Sequence, residues 1–188
     1  MNILKNNINA FLLVFVSILV SVFFGALIEN FKSLIFLAFG AKILALLLWG
    51  VYVIPGIFLA KAMQYVFFAN FDPNVEMVVS LAAIATLTPV LMMTMMKISK
   101  AGNLFNLENI NFRHIIFFII ITAMLSAILK HMYMLSDIDF AHNAAVVMLE
   151  ALFGQLFGGL LFVYVASKYA KKTIKKELSE ANKYLDKL

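Results

Sequence analysis

The chain has 188 residues, 64% of them hydrophobic and 13% charged, with 15 Lys and Arg against 10 Asp and Glu and a formal net charge of +5. A mean hydropathy of +0.97 excludes a soluble globular domain, and the lack of cysteine excludes disulfide and thiolate chemistry. At roughly 20 apolar residues per helical span, six spans with short loops nearly exhaust the chain and leave no room for a soluble catalytic or output domain.

The expected architecture is all-α: a polytopic membrane protein in which residues 1–167 form a bundle of about six transmembrane helices and residues 168–188 a basic cytoplasmic helix. The first span is predicted over 10–28; its apolar run is longer than the core of a usual signal peptide. Ser17, Ser21 and Gly25 form a small-residue stripe along it, the kind of face on which helices pack in lipid. Spans two and three are predicted over 34–50 and 51–69. No polar loop separates them at Trp49-Gly50-Val51, and their joint length of roughly 36 residues exceeds what one helix needs to cross a bilayer. A tight hairpin at Gly50 is the preferred reading, and a single long helix broken near Pro55 is its rival. The fourth, fifth and sixth spans are predicted over 77–96, 115–134 and 144–167. In the sixth, Gly154 and Gly158 make a GxxxG packing face with Gly159 beside it. Such faces serve either the bundle itself or a homodimer; packing within the bundle is the stronger expectation.

Six spans put both termini on one side of the membrane. That side receives eleven Lys and Arg, namely Lys5, Lys97, Lys100, Arg113 and seven lysines from Lys168 onward, while the other side receives only Lys32 and Lys130. Cytoplasmic loops carry the excess of cations, so both termini are expected in the cytoplasm, with a bacterial inner membrane as the setting. The tail after Lys168 combines lysines with Tyr169, Ile174, Leu178 and Leu185. A basic segment of this kind attracts anionic lipid head groups by about 1 kcal/mol per lysine; the same segment also suits a solvated helix or a surface that docks a partner protein.

Two lysines fall inside the spans. Counting along the predicted helices at 1.5 Å per residue puts Lys42 and Lys61 both roughly 12 Å below the outer boundary, with Gln64 shallower, Glu150 at roughly 9 Å and Gln155 at roughly 16 Å. Ionisable groups at such depth are expensive, face the bundle interior and pair with one another, which marks them as candidates for function. The expectation is that Glu150 pairs with Lys42 or Lys61 and leaves one cation for an anionic or carbonyl-bearing ligand. In the competing reading, one lysine is neutralised by Glu150 and the other snorkels to the head groups.

Other candidates are weaker. Met92, Met93, Met95 and Met96 resemble a soft-metal cluster, yet they point around the helix and read as apolar filler. His114, His131 and His142 lie at different span ends, so no metal site is expected. No phosphate loop, zincin pattern or nucleophile constellation is present, and neither an enzyme nor a cofactor nor a nucleic-acid partner is expected.

The segment Phe39-Gly40-Ala41-Lys42-Ile43-Leu44-Ala45, then Trp49-Gly50, then Pro55-Gly56, resembles the G-x-R-x-x-A, W/Y-G and P-G pattern of MASE1-type integral membrane sensory domains and of their small stand-alone relatives. Gly154-Gln155-Leu156-Phe157-Gly158, ending at Tyr164, resembles the G-D-x-x-G element of the same group. Lys42 stands where that pattern has arginine and Gln155 where it has aspartate, so the cross-helix ion pair the resemblance implies becomes here a lysine–amide contact, with Glu150 a candidate for the acidic role. Domains of this type precede cytoplasmic signalling modules, and the resemblance therefore implies a signal passed to a separate protein. Three functions follow as expectations: a sensor-like module with an outer-half polar site; a transporter or the membrane substrate-binding subunit of one; and an accessory subunit of a larger membrane complex.

Overall fold

The computed structural model describes residues 2–27, 36–68, 74–99, 112–134, 148–149, 151–165 and 168. These form helices α1 (Ile3–Leu27), α2 (Leu37–Trp49), α3 (Ile54–Phe68), α4 (Val75–Ile98) and α5 (Phe112–Met134), followed by α6 (Ala151–Val165). A 3-10 turn over Val51–Val53 joins α2 to α3. No strand occurs among the described residues.

Four segments, in α1, the Val51–Phe68 stretch, α4 and α5, are long and apolar enough to cross a membrane, whereas α2 and α6 are shorter apolar helices. At 1.5 Å rise, the 13 residues of α2 and the stretch Ala151–Val165 of α6 reach roughly 20 and 22 Å, against a hydrocarbon core of about 30 Å. The first helix begins at Ile3, so Lys5 lies within it rather than ahead of it. The polarity of the bundle is inverted relative to a soluble protein. Leu12, Val16, Phe23, Leu59, Phe67 and Phe157 are exposed, while Ser17, Ser21, Thr86, Thr122, Ser126 and Gln155 are buried. Such a distribution suits an apolar surrounding medium.

The stretch between Ser33 and Asn70 folds back on itself. Gly50 ends α2 with φ 72°, a left-handed value at which only glycine is unstrained, and its N–H donates to Leu46 O at 2.8 Å. Phe36 and Lys61 would lie roughly 37 Å apart on one continuous helix, yet Lys61 Nζ stands 4.3 Å from the centre of the Phe36 ring. The turn at Gly50 is therefore a hairpin, and α2 and α3 run antiparallel. Asn7 of α1 holds it shut. Its Nδ2 donates to Tyr52 O at 2.8 Å and its Oδ1 accepts from Gly56 N at 2.9 Å, capping one of the free N–H groups that open α3. Pro55 fits that first turn because its missing N–H would be unpaired there anyway. Gly56 cannot be replaced, since a Cβ would stand 2.3 Å from the Asn7 carbonyl oxygen.

The remaining helices pack around this hairpin. α1 lies along both of its arms, α3 packs on α4, and α4 on α5. α4 starts with Asn74, whose Oδ1 accepts from Met77 N at 2.8 Å, and it carries Glu76 in its first turn and Lys97 in its last, as the helix dipole favours. Met92, Met93 and Met96 are buried whereas Met95 is exposed, so the four methionines fan around α4. α6 meets α2 through glycines: a Cβ on Gly158 would stand 2.4 Å from the Phe36 backbone, and one on Gly40 would stand 2.5 Å from Phe162 Cβ. Phe36 N donates to Gly154 O at 3.2 Å. Gly154 and Gly158 thus pack within the chain. On α1, Ser21 Oγ accepts from Leu37 N at 3.0 Å and Ser17 Oγ donates to Leu13 O at 2.8 Å, with Gly25 half-buried above them.

Candidate functional site

Lys42 and Lys61 are both buried, each with 2% of its surface accessible. The hairpin places Lys42 on one arm and Lys61 on the other. Two ammonium groups in a low-dielectric interior repel each other and lose hydration worth several kcal/mol per ion. Their partners decide what the arrangement can do.

Lys42 Nζ donates to the main-chain oxygen of Ala85 at 2.7 Å. This acceptor is available for a covalent reason. In a helix, Ala85 O would take the N–H of residue 89, and residue 89 is Pro89, which has none. The ammonium of Lys42 replaces the missing helix bond and ties α2 to α4. Its other side stands 4.5 Å above the centre of the Phe39 ring, a cation–π contact that is stronger when desolvated.

Lys61 has a lighter set of contacts. Its Nζ donates to Gln64 Oε1 at 3.0 Å, a half-buried amide one turn along the same helix, and faces the Phe36 ring at 4.3 Å. An ammonium carries three donors, so two remain for something else. Among the described residues the one carboxylate is Glu76, which is exposed at the start of α4. Glu150 lies outside the described residues, as do His142, Asp72, Asp137, Asp139 and the tail from 169 to 188.

Gln155 lies on α6. It is 3% exposed, and its Oε1 has no hydrogen-bond partner. The neighbouring residue Gly154 accepts from Phe36 N, so Gln155 sits beside the phenylalanine that underlies Lys61. Lys61 and Gln64 are thus joined directly, Lys42 meets α4 instead, and Gln155 contacts neither lysine through its Oε1. His114 and His131 are half-buried near opposite ends of α5, and no group of three or more His, Cys, Asp or Glu able to hold a metal occurs among the described residues.

Several contributors escaped the sequence reading. Phe36 and Phe39 look like ordinary apolar residues, and only the fold turns their rings toward ammonium groups. The acceptor at Ala85 did have a signal: an intrahelical proline always frees the carbonyl four residues earlier. Thr122, Ser126 and Lys130 also had one, being spaced by four along an apolar span. Comparison with protein-family models, with curated proteins and with solved structures finds no match. The geometry must carry the functional reading alone.

Proposed function

We propose that the chain is a non-enzymatic integral membrane protein, a sensor-like module of a bacterial inner membrane with both termini in the cytoplasm. Its outer-half site is centred on Lys61 and receives an anionic or carbonyl-bearing ligand, and the occupied state passes to a separate protein through the basic tail that also meets anionic lipid. The observation that carries this reading is Lys61 itself: a buried ammonium whose one hydrogen bond among the described residues goes to a neutral, half-buried amide. A cation kept dry at that expense is unusual unless something negative completes it. Glu150, four residues before Gly154 in the sequence, is the carboxylate proposed to share the two lysines with the ligand. The lysine–amide contact that the MASE1 resemblance implies between Lys42 and Gln155 does not form: Lys42 Nζ donates to Ala85 O, and Gln155 Oε1 has no partner among the described residues.

The test is to purify the chain from native membranes without overexpression, identify the small molecules that accompany it, and repeat this with Lys61→Met. A small anion present with wild type and missing with the variant supports the reading. A clean, ligand-free wild-type protein counts against it and leaves the accessory-subunit role.

A transporter or its substrate-binding subunit is the second reading. It is favoured by the short helix α2 and by the broken hydrogen-bond ladder at Pro89, features common where a transport site is built. Because the chain has no cysteine, Gln64→Cys is a clean reporter. Labelling of that thiol from the outer side alone fits a sensor, and labelling from both sides fits alternating access.

A further inference from the structure

Among the described residues, most helix Ser and Thr hydroxyls follow one habit, and two buried ones depart from it. Ser17, Ser21, Thr86, Thr88 and Thr94 each donate to the carbonyl four residues earlier in their own helix, which is how Ser and Thr ordinarily satisfy themselves in an apolar span. Thr122 Oγ1 and Ser126 Oγ do not. Both residues are 0% exposed, and neither hydroxyl has a partner. Buried unpaired hydroxyls are rare and mark places where something else is bound.

α5 packs on α4, and its Ile119 also reaches the point where α2 meets α6. A Cβ on Gly159 would lie 2.9 Å from Phe39 Cδ1 and 3.2 Å from Ile119 Cγ2, so these three residues meet. Thr122, Ser126 and Lys130 follow Ile119 at three, seven and eleven residues, which keeps them on its face of α5. At the far end of that stripe Lys130 stands 5.7 Å from the centre of the Tyr65 ring, one turn beyond Lys61 in α3. The two hydroxyls thus lie between the level of Phe39 and the level of Lys61. Gln155, with its own unpaired oxygen, occupies the matching stretch of α6 between Gly154 and Gly159.

We propose that Thr122, Ser126 and Gln155 form the second wall of the Lys61 site, and that the ligand is a tetrahedral oxyanion of the phosphate class. This rests on the reading of Lys61 as a ligand site. The donor and acceptor census selects the chemistry. Lys61 has two unused N–H donors, Thr122 and Ser126 offer one O–H each, and Gln155 Oε1 asks for a donor in return. Hydrogen phosphate or a phosphate monoester supplies several acceptor oxygens together with one P–OH, whereas an ionised carboxylate supplies acceptors alone. The phosphate comes either from solution or from a lipid head group.

The experiment uses the full chain in phosphatidylcholine nanodiscs, with unfolding temperature and equilibrium binding measured against inorganic phosphate and, separately, against nanodiscs containing phosphatidic acid. Wild type is expected to respond to one of the two, and which one identifies the source. The double variant Thr122→Val with Ser126→Ala is expected to unfold normally without phosphate and to bind it at least about tenfold more weakly, because two charge-assisted hydrogen bonds are lost. Thr122→Ser keeps the hydroxyl and retains binding. Sulfate, equal in shape but without a proton for Gln155, binds at least about tenfold more weakly than phosphate. Unchanged affinity in the double variant, or equal affinity for sulfate, overturns the proposal. If a different anion co-purifies in a Lys61-dependent way and neither phosphate source acts, this inference fails and the ligand site stands. If no ligand of any kind depends on Lys61, both fail.

Discussion

Lys42 and Lys61 are buried equally and each lies over one phenylalanine ring, yet their hydrogen bonds give them different work. Lys42 fills a gap in a neighbouring helix, since its ammonium takes the carbonyl that Pro89 cannot. Lys61 reaches only an amide of its own helix. The first lysine thus holds two helices together, whereas the second makes no hydrogen bond to another helix among the described residues. Burial alone does not say whether an intramembrane charge is structural or functional; the acceptor it meets does.

The sharpest way to break this contrast is to remove the helix that borders the Lys61 end. Gly158→Ala places a methyl group 2.4 Å from the Phe36 backbone, where no flexible side chain can yield, and should destabilise the protein by about 3 kcal/mol, read as lost folded yield and a lower unfolding temperature. Next comes Lys42→Met, which leaves Ala85 O buried and unpaired and should lower stability by about 2 kcal/mol. Pro89→Ala returns an N–H to that carbonyl, so the double variant should recover about 1 kcal/mol of the loss in a double-mutant cycle. An additive cycle would show that Lys42 does not stand in for the proline. Gly50→Ala has open space around its new methyl but must hold φ 72°, and should lower stability by about 1 kcal/mol through backbone strain alone. Smallest is Lys61→Met, which removes a buried ammonium whose one hydrogen bond among the described residues goes to a neutral amide. Ligand-free, it should unfold within about 0.5 kcal/mol of wild type or above it. A loss as large as that of Lys42→Met would erase the distinction between the two lysines.

Much of the architecture was legible because lipid imposes a simple rule: a segment either has enough apolar residues to cross or it does not. The fourth and fifth spans, expected over 77–96 and 115–134, occur as helices Val75–Ile98 and Phe112–Met134, extended at their ends because polar residues such as Asn74 cap helices as well as separate them. Gly50 as the point of reversal was also readable, since an interior glycine between two apolar runs is where a positive φ is cheapest. Burial of Lys42 and Lys61 was likewise readable, because an ionisable group within an apolar span has to face the bundle interior. Side-chain direction did not follow. That Asn7 closes a turn 45 residues away, or that Thr122 ignores its own backbone while Thr86 uses it, depends on neighbours that periodicity does not name.

The amino-acid sequence by itself determined that this chain is helical and apolar, roughly where its apolar segments lie, and that two lysines sit deep in a stretch unable to hydrate them. Those are local properties, set by hydropathy and by backbone chemistry within a few residues. Only the tertiary structure decided which carbonyl Lys42 replaces a proline for, which ring lies beneath each ammonium, and which hydroxyls of α5 are left unpaired. These depend on interhelical distances of a few ångströms, and the close approaches at Gly56, Gly158 and Gly159 set those distances.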